Sequence, residues 1–227
     1  MTQTALDSVI IDDLLGNEPD CPVFGFNLAC SYPFPPVAAQ FYRSFASRLS
    51  ALDEGAYVYP EWETHVTIIT FANFSLHRHP DASQVAQLQS LVMPVIEKLR
   101  PALAGPEFPL VIGRPVLTSK AAILPISDPT GEVARIRREA IDALKTNGEL
   151  HEKLLRAGLT VPGIVHSTVL RFKSAPSNLK RFAAGFDEIA VSVQPIEIRI
   201  EELLLTVESK PYMREGTIDH RFPLAPV

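Results

Sequence analysis

Apolar residues in this chain follow two rhythms, short strand-like runs and longer stretches that recur every three or four positions. Val23–Cys30 is an apolar run of a length that suits a buried strand. Beyond the rigid Ser31-Tyr32-Pro33-Phe34-Pro35-Pro36 loop, Val37, Phe41, Phe45 and Leu49 mark one stripe of a helix reaching about Leu52. A strand is predicted from about Thr64 to Phe74, then a helix from about Ala82 to Leu99 carrying Val85, Leu88, Val92 and Ile96 on one side. Phe108–Leu117 and Ala121–Ile126 read as two strands joined at Thr118-Ser119-Lys120. Gly131 to about Ala157 is helical with a break at Asn147-Gly148, a turn-forming dipeptide. Val165–Phe172 is a strand, Ser177 to about Phe186 a short helix, and Ile196–Val207 one long alternating strand; Phe222 and Leu224 belong to a short last strand. Residues 1–20 are polar and acidic with little periodicity, so they are expected to form an extension ahead of a single domain at 21–227. The order of elements gives an α+β fold built from a duplicated unit.

Two of the strands repeat one phrase. His65-Val66-Thr67-Ile68-Ile69-Thr70-Phe71 returns as His166-Ser167-Thr168-Val169-Leu170-Arg171-Phe172. Alternate residues of a strand share a face. That predicts His65, Thr67, Ile69 and Phe71 on one face, and His166, Thr168, Leu170 and Phe172 on the matching one. Two such strands facing each other would set two imidazoles and two hydroxyls around one cleft. The plainer alternative is a duplicated fold in which each strand carries one hydrogen-bonded His.

Composition narrows the chemistry. The 227 residues are 46% apolar, ample for a core, and carry a formal net charge of −5. That balance argues against broad binding along a nucleic-acid backbone, while a small nucleotide or a short RNA end remains compatible with a locally positive cleft. No apolar run is long enough for a membrane span. The acidic start with Asp7, Asp12 and Asp13 does not read as a signal peptide. Cys21 and Cys30, the two cysteines, read as reduced cytoplasmic thiols. No phosphate-cradling glycine loop or nucleophile-elbow motif is present in the sequence, which speaks against a nucleotide-dependent kinase, a dinucleotide enzyme or a serine hydrolase.

Two His-x-Thr pairs suit phosphodiester cleavage. One proton must leave the attacking oxygen and another must reach the leaving oxygen, and imidazole titrates near working pH. Thr67 and Thr168 can donate to the non-bridging oxygens, where charge builds in the transition state. No step requires a metal or other cofactor. In these two motifs the chain resembles the 2H phosphoesterases, which include the RNA ligase/cyclic phosphodiesterase proteins. The apolar first strand Val23–Ala29, the Pro35-Pro36 helix entry and the Pro60-Glu61-Trp62 approach to the first His extend the likeness. Val165 stands before the second His, where many members have Pro. The resemblance implies a bilobal fold of two pseudo-symmetric antiparallel sheets flanked by helices, with the active-site cleft between the lobes. It also implies His65 and His166 as acid and base, Thr67 and Thr168 on the phosphate, and a 2′,3′-cyclic phosphate or related 2′-linked ester as substrate.

Other residues have weaker credentials. Lys210, Tyr212 and Arg214 offer charge and a ring beside a nucleotide, or else form a solvated hairpin between the last two strands. Trp62, the one tryptophan, either caps the core or stacks on a base, and Tyr32 is a similar case. His77, His79 and Asp81 resemble the start of a metal signature, but Ala82 stands where its last His belongs. Arg135, Arg137 and Arg138 sit among glutamates and read as a solvated helix face.

Overall fold

The computed structural model of the protein describes residues 6–226, so residues 1–5 of the expected extension, and Val227, lie outside the described residues. The elements in chain order are α1 (Asp13–Gly16), β1 (Gly25–Ser31), α2 (Pro36–Ser50), β2 (Ala56–Val58), β3 (Val66–Ala72), α3 (Ala82–Gln89), α4 (Val92–Ala102), β4 (Phe108–Ile112), β5 (Val116–Leu117) and β6 (Ala121–Ser127). The chain continues through α5 (Glu132–Lys145), α6 (Gly148–Ala157), β7 (His166–Phe172), α7 (Leu179–Ser192), β8 (Ile196–Ile200), β9 (Glu202–Glu208) and β10 (Thr217–Pro223).

The strands form two antiparallel sheets, as an α+β fold with paired sheets requires. One has the order β10-β9-β1-β3; the other has β2-β7-β6-β4-β8, with β5 also on β6. The sheets interleave the chain, since β1 and β3 join the C-terminal β9 and β10, while β2 crosses to the edge of β7. β1 is buried along its whole length, which accounts for its continuous apolar run. Helices α2 and α7 pack together beside β2 and β8, and α5 and α6 pack on β3. Helix α5 buries Val133, Ile136, Ala140 and Leu144, one stripe at helical spacing. The Asn147 side chain accepts from the Leu150 amide to start α6, and Gly158 ends it at φ 94, where a Cβ would meet Asn73 and Leu76 at 2.8 Å.

Several boundaries differ from the sequence expectation. The helix expected from Ala82 to Leu99 is two helices. Pro94 has no amide to continue the ladder from α3, so it sits in the first turn of a new helix. Gly113-Arg114-Pro115 separates β4 from β5, so Phe108–Leu117 is not one strand. The Ile196–Val207 run is also two strands: the chain leaves one sheet at Ile200 and enters the other at Glu202. The helix expected to end near Phe186 continues to Ser192. The described part of the extension is packed rather than loose, with Leu14 and Leu15 buried and the Asp12 amide bonded to the Phe172 carbonyl at 2.8 Å.

Candidate active site

The repeated phrase lies on β3 and β7, which approach each other from the two sheets. Both strands depart from simple alternation at the same step. On β3, Thr67 lies opposite Ala29 and Ile69 opposite Leu28, leaving Ile68 as an extra residue. On β7, Thr168 lies opposite Ile123 and Leu170 opposite Ala122, leaving Val169 as the extra one. A one-residue bulge reverses which face the following side chains take. The expected four-residue faces are therefore corrected. Ile69, Phe71, Leu170 and Phe172 turn into the core, all at 0% exposure. The sixth position of each phrase, Thr70 and Arg171, joins the face that carries the His and the Thr.

The approach to His65 is fixed locally. The Thr64 hydroxyl donates to the Glu61 carbonyl (2.7 Å) and accepts from the Phe34 amide (2.9 Å), pinning the 3-10 turn at Glu61–Glu63. His65 Nδ1 lies 2.8 Å from the Glu63 carbonyl oxygen. A carbonyl only accepts, so Nδ1 carries the proton and Nε2 keeps its lone pair. Burial pushes the His65 pKa down to about 4, and the nearby His166 and Arg171 act in the same direction against the Glu63 carbonyl. His166 is also lowered, chiefly by burial, with Arg171 and Arg137 adding to it. The Ile164 backbone favours its cation, yet Nδ1 has no partner of normal hydrogen-bond geometry. Among the described residues no side chain or backbone group engages the hydroxyls of Thr67 or Thr168.

Arg171 ties the surroundings together. Its Nε donates to the Tyr59 hydroxyl (3.1 Å), Nη1 lies 3.3 Å from an Asp12 carboxylate oxygen, and Cζ stands 4.1 Å from the centre of the Tyr212 ring. Burial opposes its charge, but Tyr59, Tyr212 and Asp12 outweigh that and hold the guanidinium charged. The Tyr212 hydroxyl hydrogen-bonds Asp12. Arg137 is not on a solvated face, as its sequence context suggested. Its Nε donates to the carbonyl of the bulge residue Ile68 (3.1 Å) and Nη2 to the Ile164 carbonyl (3.4 Å), fastening β3 to the segment that leads into His166. Arg135 does pair with Glu132 and Glu139, and Arg138 is exposed.

The 209–216 loop between β9 and β10 brings Tyr212 under Arg171. Tyr212, Met213 and Glu215 have φ of 63, 63 and 53, backbone strain that needs anchors. Glu208, 4% exposed, supplies them: its carboxyl accepts from Asn27 Nδ2 (2.6 Å) and from the Met213 amide (3.0 Å). Burial raises its pKa to about 7. The Tyr32 hydroxyl donates to the carbonyls of Met213 (3.1 Å) and Gly216 (3.0 Å), so Tyr32 holds this loop.

The remaining sequence candidates divide. Lys210 points to Asp20 (3.3 Å) and Glu215 (2.7 Å), away from the histidines. Arg214 lies over the Tyr57 ring at 5.6 Å and donates to the Pro19 carbonyl at 2.6 Å. Trp62 does not cap the core: it is 70% exposed in the turn before His65. His77, His79 and Asp81 do not converge. His77 Nε2 meets the Ala157 carbonyl at 3.0 Å, and Asp81 caps α3 through Gln84.

No family model matches the sequence, and no curated protein matches it. Solved structures do. TT0787 of Thermus thermophilus superposes with a TM-score of 0.55 at 16% identity, covering 89% of this chain and 98% of that one. LigT of E. coli complexed with 3′-AMP gives 0.52 at 17% identity, over 89% of this chain and 98% of LigT. The same protein complexed with NADP+ gives 0.50 at 16% identity, with the same coverage. The fold is that of the 2H phosphoesterases. At this identity the likeness concerns the 2H fold alone.

Sequence reasoning passed over Arg171, Tyr59, Asp12, Arg137 and Glu208. Arg171 had a signal, a charge inside an otherwise apolar strand. Asp12 and Tyr59 had none, because only the fold brings them to it.

Proposed function

We propose that the chain is a phosphoesterase that opens 2′,3′-cyclic phosphates on RNA ends or small nucleotides, with its catalytic groups on β3 and β7. One observation supports the reading: β3 and β7 approach each other, and His166 and Arg171 of β7 lie close enough to act on the His65 ring of β3's phrase. In this scheme the neutral Nε2 of His65, oriented by the Glu63 carbonyl, takes a proton from water, and the water oxygen attacks phosphorus. The bond from phosphorus to one ribose oxygen breaks, and protonated His166 delivers a proton to that oxygen. The bound anion raises the pKa of His166 so that it can serve as the acid. Thr67 and Thr168 donate to the non-bridging oxygens, and Arg171 sets a positive potential behind them. Trp62, exposed in the turn before His65, offers a ring face to a base, while the Tyr212 ring backs Arg171. Lys210 and Arg214 have other partners and are given no role in this scheme. A mononucleotide-sized ligand is consistent with the 2H fold, since LigT, which shares it, has been solved with 3′-AMP.

The experiment is turnover of a panel of 2′,3′-cyclic nucleotides, cyclic-phosphate-ended oligonucleotides and 2′,5′-linked dinucleotides, with chelator present throughout. The expected result is conversion of at least one cyclic phosphate to a monoester. Binding of the same compounds without turnover would leave a nucleotide-binding module instead.

A further inference from the structure

Beside the Arg171 network, and outside the site just described, three side chains of different chemistry converge. Cys21 Sγ lies 3.4 Å from His79 Nε2, and His79 Nε2 lies 3.4 Å from Glu18 Oε2. All three candidate ligand atoms fall within 4.8 Å of one another. Glu18 and Cys21 come from the arm ahead of β1. His79 comes from the segment between β3 and α3.

We propose that Cys21, His79 and Glu18 form a zinc site that clamps the N-terminal arm to the body of the protein. Three arguments favour a metal over a plain hydrogen-bonded cluster. The Nε2–Oε2 distance is long for a hydrogen bond, while the Sγ–Nε2 distance is ordinary for a contact to sulfur. They match the edges of a tetrahedron drawn around zinc by its bonds to thiolate, imidazole and carboxylate, about 3.3–3.6 Å. A single ring nitrogen also faces two groups at once, and one proton serves both poorly, whereas a cation serves all three. Finally, His79 is held in the left-handed region, at φ 46, by its amide bond to the Pro22 carbonyl (2.8 Å). That conformation has a cost for a non-glycine residue.

The donor set selects the ion. A soft thiolate with an imidazole suits zinc and disfavours magnesium or calcium, which prefer all-oxygen shells. Cys21 is buried in a small cluster with Leu14 and Val23, against which Phe74 and Tyr212 pack. A cation here would neutralise the thiolate that binding creates, where burial and Glu18 otherwise favour the protonated thiol. Its structural effect would be to seat residues 12–21, and with them Asp12 against Arg171 and Tyr212. The clamp needs no assumption about the reaction.

The test uses the full chain, stripped of metal and titrated with Zn2+ against a chromophoric chelator. Spectra of the Co2+ form are taken in parallel. One equivalent of Zn2+ is expected, with a thiolate-to-cobalt charge-transfer band and a thermal midpoint that rises with Zn2+. Because C21S alters a buried position, H79N and E18Q serve as exposed companions, and Asn tolerates the left-handed backbone. H79N should weaken binding about 100-fold or more and abolish the thermal shift. The protein binding Zn2+ no more tightly than H79N, or a Co2+ spectrum without the thiolate band, would show a hydrogen-bonded cluster only and overturn the proposal.

Discussion

At the level of single residues, the two phrases are alike in sequence but not in surroundings. His65 has its Nδ1 proton committed to Glu63, while His166 Nδ1 has no such partner. That asymmetry supports His65 as the base. The sixth residue differs too, Thr70 in one phrase and Arg171 in the other, so of the two phrases only the one on β7 carries a charged side chain at this step. Thr67→Ala and Thr168→Ala should each lower kcat by about 10–10³-fold through lost stabilisation of the non-bridging oxygens. Arg171→Lys keeps the charge but loses the planar fork that reaches Tyr59 and Asp12 together. A steady-state comparison should show kcat/KM falling for Arg171→Lys as well. Wild-type values in all three variants would remove these groups from the site. Legibility at this scale was uneven. The His and Thr positions were readable as a repeat, because chemistry is written in residue types. Asp12 and Tyr59 were not, since their role comes from contacts to Arg171 across the chain.

At the level of elements, the strands and most helices were legible from periodicity, and the errors share one cause. A period-two reading of Ile196–Val207 cannot see that residues 200 and 202 belong to different sheets, because alternation continues through the crossing. Nor can it see the bulges at Ile68 and Val169, which are set by register against β1 and β6. Those bulges place the apolar ends of both phrases in the core. The 209–216 loop is a second case, an exposed-looking hairpin held by a carboxyl buried beneath it. Glu208 holds its proton in the folded protein to about pH 7 and in the unfolded chain only to about 4.5. The folded state therefore loses stability, on this account, as pH rises from 4.5 through 7. Glu208→Gln removes the ionisation while keeping one of the two oxygens that accept from Asn27 and Met213, so a lower overall stability is expected alongside the changed pH slope. Denaturant melts of the two proteins should show a smaller decline across that window for the variant; identical pH slopes would rule Glu208 out as the source.

At the level of the whole molecule, two sheets that exchange strands place β3 and β7 side by side, and Arg137 links the backbone of one phrase to the approach of the other. The α+β class and the duplication were readable from the order of elements and the repeat, and the two antiparallel sheets were implied by the family resemblance. The interleaving of β2, β9 and β10 was not, because pairing partners distant in sequence leave no periodic trace. In the described residues no helix is long and apolar enough to cross a membrane. Burial holds both imidazoles below the ordinary histidine range, so the proposed mechanism requires the bound anion to favour the protonated acid. His65 adds a stability effect opposite in sign to that of Glu208. The unfolded ring takes up a proton below about 6.5 and the folded ring only near 4, so stability falls as pH drops through that window.

The central claim is that His65 and His166 act as one acid–base unit on a cyclic phosphate. The measurement that tests it most directly is the pH dependence of kcat/KM for a 2′,3′-cyclic nucleotide, in the wild-type protein, both single His→Ala variants and the double variant. A bell-shaped wild-type curve is expected, its two limbs belonging to the coupled pair. Each single variant should lose about 10²–10⁴-fold, and the double variant little more, because the two groups serve one step. A double variant that keeps the wild-type rate and pH profile would contradict it.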